Sequence, residues 1–86
     1  MAFINIGFGN MINDDKVVVM ITPDSAPAKR MIAKARDEGM AIDATQGRRT
    51  RALLVTETGQ VVLSALVPET IADRTRKQEE QKKDEA

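Results

Sequence analysis

The sequence predicts a small α+β fold: a mostly antiparallel sheet of four to five short strands, one amphipathic helix and a short C-terminal helix. Three observations predict it. Five short apolar runs are separated by glycine or polar turns, which is strand spacing. One stretch, between Pro27 and Gly39, carries helical periodicity. Every Leu, Ile, Val and Phe lies within residues 1–72, so a single domain ends there and residues 73–86, with five acids and five bases, form a charged tail.

The first run, residues 2–8, alternates Ile4, Ile6 and Phe8 with Phe3, Asn5 and Gly7, the pattern of a half-buried strand ended by Gly9 and Asn10. Lys16 opens a second strand over residues 16–22, apolar at both parities and therefore expected to be buried on both faces. Asp24, Ser25 and Pro27 then signal a helix start, with a side-chain oxygen free to accept the first amides and a Pro where a missing donor costs little. The helix should run to about Glu38, with Gly39 closing its last turn. Its apolar stripe is Ala28, Met31, Ile32 and Ala35, and Lys29, Arg30, Lys34 and Arg36 make the outer face basic.

Residues 40–44 form a short strand candidate, and Thr45-Gln46-Gly47 a turn that leads through Arg48-Arg49-Thr50-Arg51 into a strand over residues 52–56. Glu57-Thr58-Gly59 turns the chain into a last strand, residues 60–66, again apolar on both faces. A final short helix begins near Pro68. Pairs such as Arg76/Glu80 and Glu79/Lys83 could prolong it into the tail, but pairs of that kind are weak and fraying is expected. One amphipathic helix and one short helix can hardly cover both faces of such a sheet, so a homo-oligomer is expected to supply the missing cover; the alternative is a terminal helix folded across the open face.

Composition removes several function classes. With no Cys and no His there is no disulfide framework, zinc finger, imidazole base or Cys nucleophile, and a metal site would need carboxylates alone. Two Phe and no Trp or Tyr argue against single-strand readers that stack bases on aromatic platforms. The start does not read as a targeting peptide and the longest apolar run, residues 17–21, is too short to span a bilayer, so a soluble cytoplasmic protein is expected.

Most motifs in the chain carry no chemistry. Gly7-Phe8-Gly9 lacks the third glycine of a dinucleotide fingerprint, since position 12 is Ile12. Gly47-Arg48-Arg49-Thr50 lacks the partner glycine of a phosphate-binding loop, since position 42 is Ile42. Asp14-Asp15 reads as a solvated turn, Asp43 as a turn residue or a partner that orients an arginine, and Ser25 and Ser64 have no activating base in a recognisable spacing. The sequence therefore points away from an enzyme, a cofactor and a small-molecule substrate.

Arg48-Arg49-Thr50-Arg51 is the strongest chemical feature, because guanidinium forks suit phosphate oxygens and guanine edges and Thr50 adds a hydroxyl. From Lys29 to Arg51 seven bases face three acids within a chain of net charge zero. Duplex DNA, read mainly through its backbone, suits such a surface without stacking aromatics, and repetition of a modest site around an oligomer would add avidity. A protein or RNA partner docking on the same basic rim is the rival expectation.

Five collinear segments carry a family resemblance: Ile4-Asn-Ile-Gly-Phe-Gly-Asn10, Ser25-Ala-Pro-Ala-Lys-Arg30, Ala35-Arg-Asp-Glu-Gly-Met40, Ile42-Asp-Ala-Thr-Gln-Gly-Arg-Arg-Thr-Arg-Ala52 and Val62-Leu-Ser-Ala-Leu-Val-Pro-Glu-Thr70. Over residues 3–74 the chain resembles the RemA family of bacterial extracellular matrix regulatory proteins. The resemblance implies a small α+β protein that assembles into rings, binds DNA and activates biofilm matrix genes. It implies DNA contacts at Lys16, Arg48 and Arg49, with Arg51 and Thr50 in the same matched motif. Two positions depart from the family pattern: Lys16 stands where the family has Arg, keeping the charge without the bidentate fork, and Gln46 where it often has an aromatic residue.

Overall fold

The computed structural model describes residues 2–85, with side chains described as far as Lys77. Its elements run β1 (Phe3–Asn5), β2 (Met11–Asn13), β3 (Val17–Ile21), α1 (Ala26–Asp37), β4 (Ala41–Asp43), β5 (Ala52–Thr56), β6 (Val61–Ser64) and α2 (Pro68–Glu85). Strands β1 and β2 form a separate antiparallel hairpin, and the other four make one mixed sheet in the order β3-β5-β6-β4. In that sheet β3/β5 and β5/β6 pair antiparallel, while β4/β6 pair parallel. Strands β3, β6 and β4 therefore point the same way. Joining the like-directed edge strands β3 and β4 needs a crossover, and the twelve residues of α1 provide it.

Helix α1 follows the sequence signals closely. The Ser25 hydroxyl accepts the Ala28 amide at 3.2 Å, with Pro27 in the first turn. At the other end the Met40 amide reaches the Ala35 carbonyl at 2.8 Å and the Gly39 amide reaches Arg36 at 3.3 Å, a Schellman closure that needs the left-handed φ of 72° at Gly39. The helix lays Ala28 and Ala35 over Leu53, Val61 and Leu63 on one face of the sheet.

The other face, carrying Ala52, Leu54 and Val62, is covered within the same chain. The β1–β2 hairpin contributes Ile4 and Ile6, and α2 contributes Ile71. Burial of these aliphatic side chains is worth roughly 1.5–3 kcal/mol each. The hairpin thus supplies cover that was expected from a partner chain, and α2, packed against β1, reaches the same cluster through Ile71.

Other expectations need correction. The first strand is three residues long, not seven, because Gly7, Phe8 and Gly9 all take positive φ (114°, 55° and 79°) and turn the chain into β2, a strand absent from the sequence-based expectation. Strand β3 is an edge strand rather than one buried on both faces, with Val18 and Val19 62% and 45% exposed. The cause is placement: β3 has β5 as its one neighbour, its register slips between Val17 and Val19 so that Val18 has no paired partner, and α1 packs chiefly on β4 and β6. The C-terminal helix is eighteen residues, not short. In it Arg76 bonds Asp73, and the Arg76/Glu80 and Glu79/Lys83 pairs lie outside the described side chains.

Candidate nucleic-acid interface

The loop from β4 to β5 crosses the end of the sheet where β3, β6 and β4 finish. Two fastenings shape it. Asp43, at the end of β4, accepts both the backbone amide and the hydroxyl of Thr45, at 2.9 and 2.6 Å. These two bonds, the hydroxyl one foremost, hold the Asp43 carboxyl below its ordinary value. Thr45 is buried beneath the turn, Gln46 and Gly47 take left-handed φ of 54° and 77°, and the Arg48 amide closes onto the Thr45 carbonyl at 3.0 Å. Further along, the Arg51 amide donates to the Ser64 carbonyl at 2.8 Å, where β5 begins beside the end of β6.

Asn10 links this loop to the hairpin: its side-chain amide donates to the Gly7 carbonyl at 2.9 Å and to the Ala44 carbonyl at 3.4 Å. The hairpin tip thus stands beside the arginines. The Arg48 guanidinium lies over the exposed Phe8 ring, 5.8 Å from its centroid, within cation–π range.

Between hairpin tip, loop and α2 lies an open groove of about 540 Å³. Arg48, Arg49 and Arg51 enter it from the loop, Phe8 and Asn5 from the hairpin, and Arg74 from α2. Among the described residues no carboxylate lines it. Arg49 has one acidic neighbour outside the groove, Asp24 at 3.9 Å, and both side chains are about three-quarters exposed, so the pair adds little.

The structure therefore brings together Arg48, Arg49 and Arg51 but not the whole expected set. Thr50 lines a smaller adjoining hollow of about 160 Å³ that it shares with Arg49 and Arg51 and that also contains Asp24 and Glu69. Lys16 stands at the opposite end of β5, where Glu57 donates its amide to the Lys16 carbonyl; six residues of extended chain put it roughly 20 Å from Arg51 at ~3.4 Å per residue. Its ammonium donates to Glu57 at 2.9 Å, a bond that, with the carboxylate's charge, raises the Lys16 pKa. The basic outer face of α1 lies on the helix-covered side of the sheet, away from the hairpin and its groove.

Arg74 and Phe8 are functional candidates that the sequence pattern does not single out. The pattern places Arg74 in the tail, although its spacing of three from the buried Ile71 is a usable signal. It places Phe8 in a strand, and only the left-handed backbone at that residue turns it outward.

A family pattern described as RemA-like, extracellular matrix regulatory protein A-like, matches residues 3–75. The chain belongs to the RemA-like family. Relatives named for a regulatory role include one from Carboxydothermus hydrogenoformans, 51% identical over 94% of this chain and 93% of the relative. One from Desulforudis audaxviator is 55% identical over 86% of this chain and 78% of the relative, and one from Clostridium botulinum 54% identical over 93% and 90%. RemA-like membership and these names indicate a regulatory protein rather than an enzyme. Among the described residues there is no cluster of three metal-ligating side chains and no helix long and apolar enough to cross a membrane.

Proposed function

We propose that this RemA-like chain is a cytoplasmic, duplex-DNA-binding transcriptional regulator of extracellular matrix genes that works as a ring-like homo-oligomer and needs no cofactor. The observation that carries the proposal is the convergence of Arg48, Arg49 and Arg51 on one groove that no described carboxylate lines. The amides of Arg48 and Arg51 are fixed by the fold, at Thr45 and Ser64, so the guanidinium groups are presented from a rigid end of the sheet. Such groups form charge-assisted, bidentate hydrogen bonds with phosphate oxygens and release the counterions condensed on the duplex. Repetition around an oligomer turns a weak site into an avid one. Exposed Val18 and Val19 on the free β3 edge, with Ile42 on the β4 edge, supply apolar surface for assembly.

The test is a fluorescence-anisotropy titration with a random-sequence duplex across a salt series. Log K should fall with log salt at a slope of ~0.9 per neutralised phosphate. Replacing both Arg48 and Arg49 by Glu should abolish binding with the solution mass unchanged. A flat salt response, or preference for A-form RNA over duplex DNA, would overturn the reading in favour of an RNA or acidic-protein partner on the same rim.

A further inference from the structure

Arg74 differs from the other described cations of α2. Arg76 and Lys77 are both engaged by Asp73, whose carboxyl they hold below its ordinary value, Arg76 foremost. Arg74 instead donates one Nη1 hydrogen bond, at 2.6 Å, to the backbone carbonyl of Asn5. A carbonyl orients a guanidinium without neutralising it, and a guanidinium with five donors keeps four after that bond. The bond joins residues 69 apart in sequence and holds the half-buried side chain at the groove lined by Arg48, Arg49 and Arg51. Ile71, packed in the core one turn earlier, fixes that side of the helix.

The loop arginines enter from one wall and Arg74 from the other. Phe8, Ala65 and Leu66 supply apolar surface between them. The volume, about 540 Å³, lies in the range of small-ligand sites. Four arginines line one space that no described carboxylate lines, a local excess of positive charge that favours an anion there.

We propose that Arg74 is the fourth arginine of a phosphate-binding groove, gripping a phosphate oxyanion from the α2 side while Arg48, Arg49 and Arg51 grip from the loop. The assignment rests on the DNA-binding reading for its biological ligand, a phosphodiester of the duplex, but its chemistry is that of any phosphate oxyanion. Helix α2 then belongs to the DNA-facing surface as well as to the core.

Two probes on the full 86-residue chain test it. The first is inorganic pyrophosphate, titrated while the arginine side-chain Nε–H resonances are followed. Arg74 should move together with Arg48, Arg49 and Arg51 along one saturating curve, and Arg74→Ala should weaken pyrophosphate binding several-fold. The second is random duplex DNA: Arg74→Ala should flatten the salt slope by ~0.9 for each phosphate that a protomer no longer neutralises. Arg74→Lys, which keeps charge but not the fork, should fall between the two, with the melting temperature recorded for each variant to separate binding from folding. A stationary Arg74 signal, unchanged pyrophosphate affinity, or a weakened DNA affinity with an unchanged salt slope would make Arg74 a tie between α2 and β1 only, and would leave the loop arginines as the DNA site. Pyrophosphate binding through Arg74 with no duplex binding by the native chain would sustain the groove and remove the DNA reading.

Discussion

Ser64 holds Arg51 by the backbone and Ile6 by the side chain. Its carbonyl accepts the Arg51 amide at 2.8 Å, and its buried hydroxyl donates to the Ile6 carbonyl at 2.6 Å while accepting the Leu66 amide at 3.1 Å. One residue at the end of β6 thus fastens the arginine loop and the hairpin strand next to Asn5, so the loop and hairpin sides of the groove both hang from it. The serine without an activating base is a structural joint.

Ser64→Ala should therefore destabilise the fold by about 1–3 kcal/mol, the cost of leaving a buried carbonyl and amide without a partner. For a domain of this size each kcal/mol lowers the melting temperature by about 4–8 °C. Urea and thermal denaturation check the loss. An unchanged midpoint would mean that water or a neighbouring group takes over both bonds.

Asp43 sets a pH limit on the same loop. Its folded pKa is depressed below the ordinary 3.8, so the stability it contributes is fully present above that value and is lost as pH falls through the lower folded value. The Thr45 amide resonance should be constant from about pH 8 to 5 and shift only below the ordinary carboxyl value. Asp43→Ala should free the Thr45 turn and weaken DNA binding at neutral pH, with Asp43→Asn intermediate because it keeps an acceptor oxygen. A Thr45 resonance titrating near pH 5 or above would contradict the bond.

Lys16 and Arg49 should act independently. They occupy opposite ends of the sheet, well beyond the ~7–10 Å within which mutations couple. A double-mutant cycle of Lys16→Ala and Arg49→Ala on DNA affinity should close to about 0.5 kcal/mol. Strong coupling would mean that both touch the same DNA segment, which in this geometry requires a second protomer.

The free β3 edge gives a fourth expectation. Val18→Lys or Val19→Lys places a charge on an unpaired strand edge without entering the core. If this edge joins protomers, sedimentation should show a lower mass than for the native chain, while the circular dichroism spectrum is retained. An unchanged mass would assign assembly to another surface.

Legibility in the sequence follows the range of the interactions. Helix α1 is readable almost to the residue, because Ser25, Pro27 and Gly39 act on their own neighbours and the apolar spacing is local. Strands β5 and β6 are legible for the same reason. The β1–β2 hairpin is not: Ile4, Ile6 and Phe8 alternate as one strand would, and nothing in the pattern shows Phe8 leaving the β region at φ 55°. Strand β3 misleads because apolar parity reports what a strand could bury, whereas its place at the sheet edge is decided by strand order, which pairs it with β5 alone.

The sequence by itself determined that the fold is α+β, where its helices begin, that Cys and His chemistry is closed to it, and that Arg48, Arg49 and Arg51 are the concentrated charge, all of them properties of composition and near-neighbour spacing. Only the tertiary structure decided that the second sheet face is covered from within, that Lys16 and the arginine loop lie at opposite ends of β5, and that Arg74 joins the loop arginines. Those outcomes depend on interactions between segments up to 69 residues apart, whose geometry is fixed by strand order and by the burial of both sheet faces, and no local pattern encodes either.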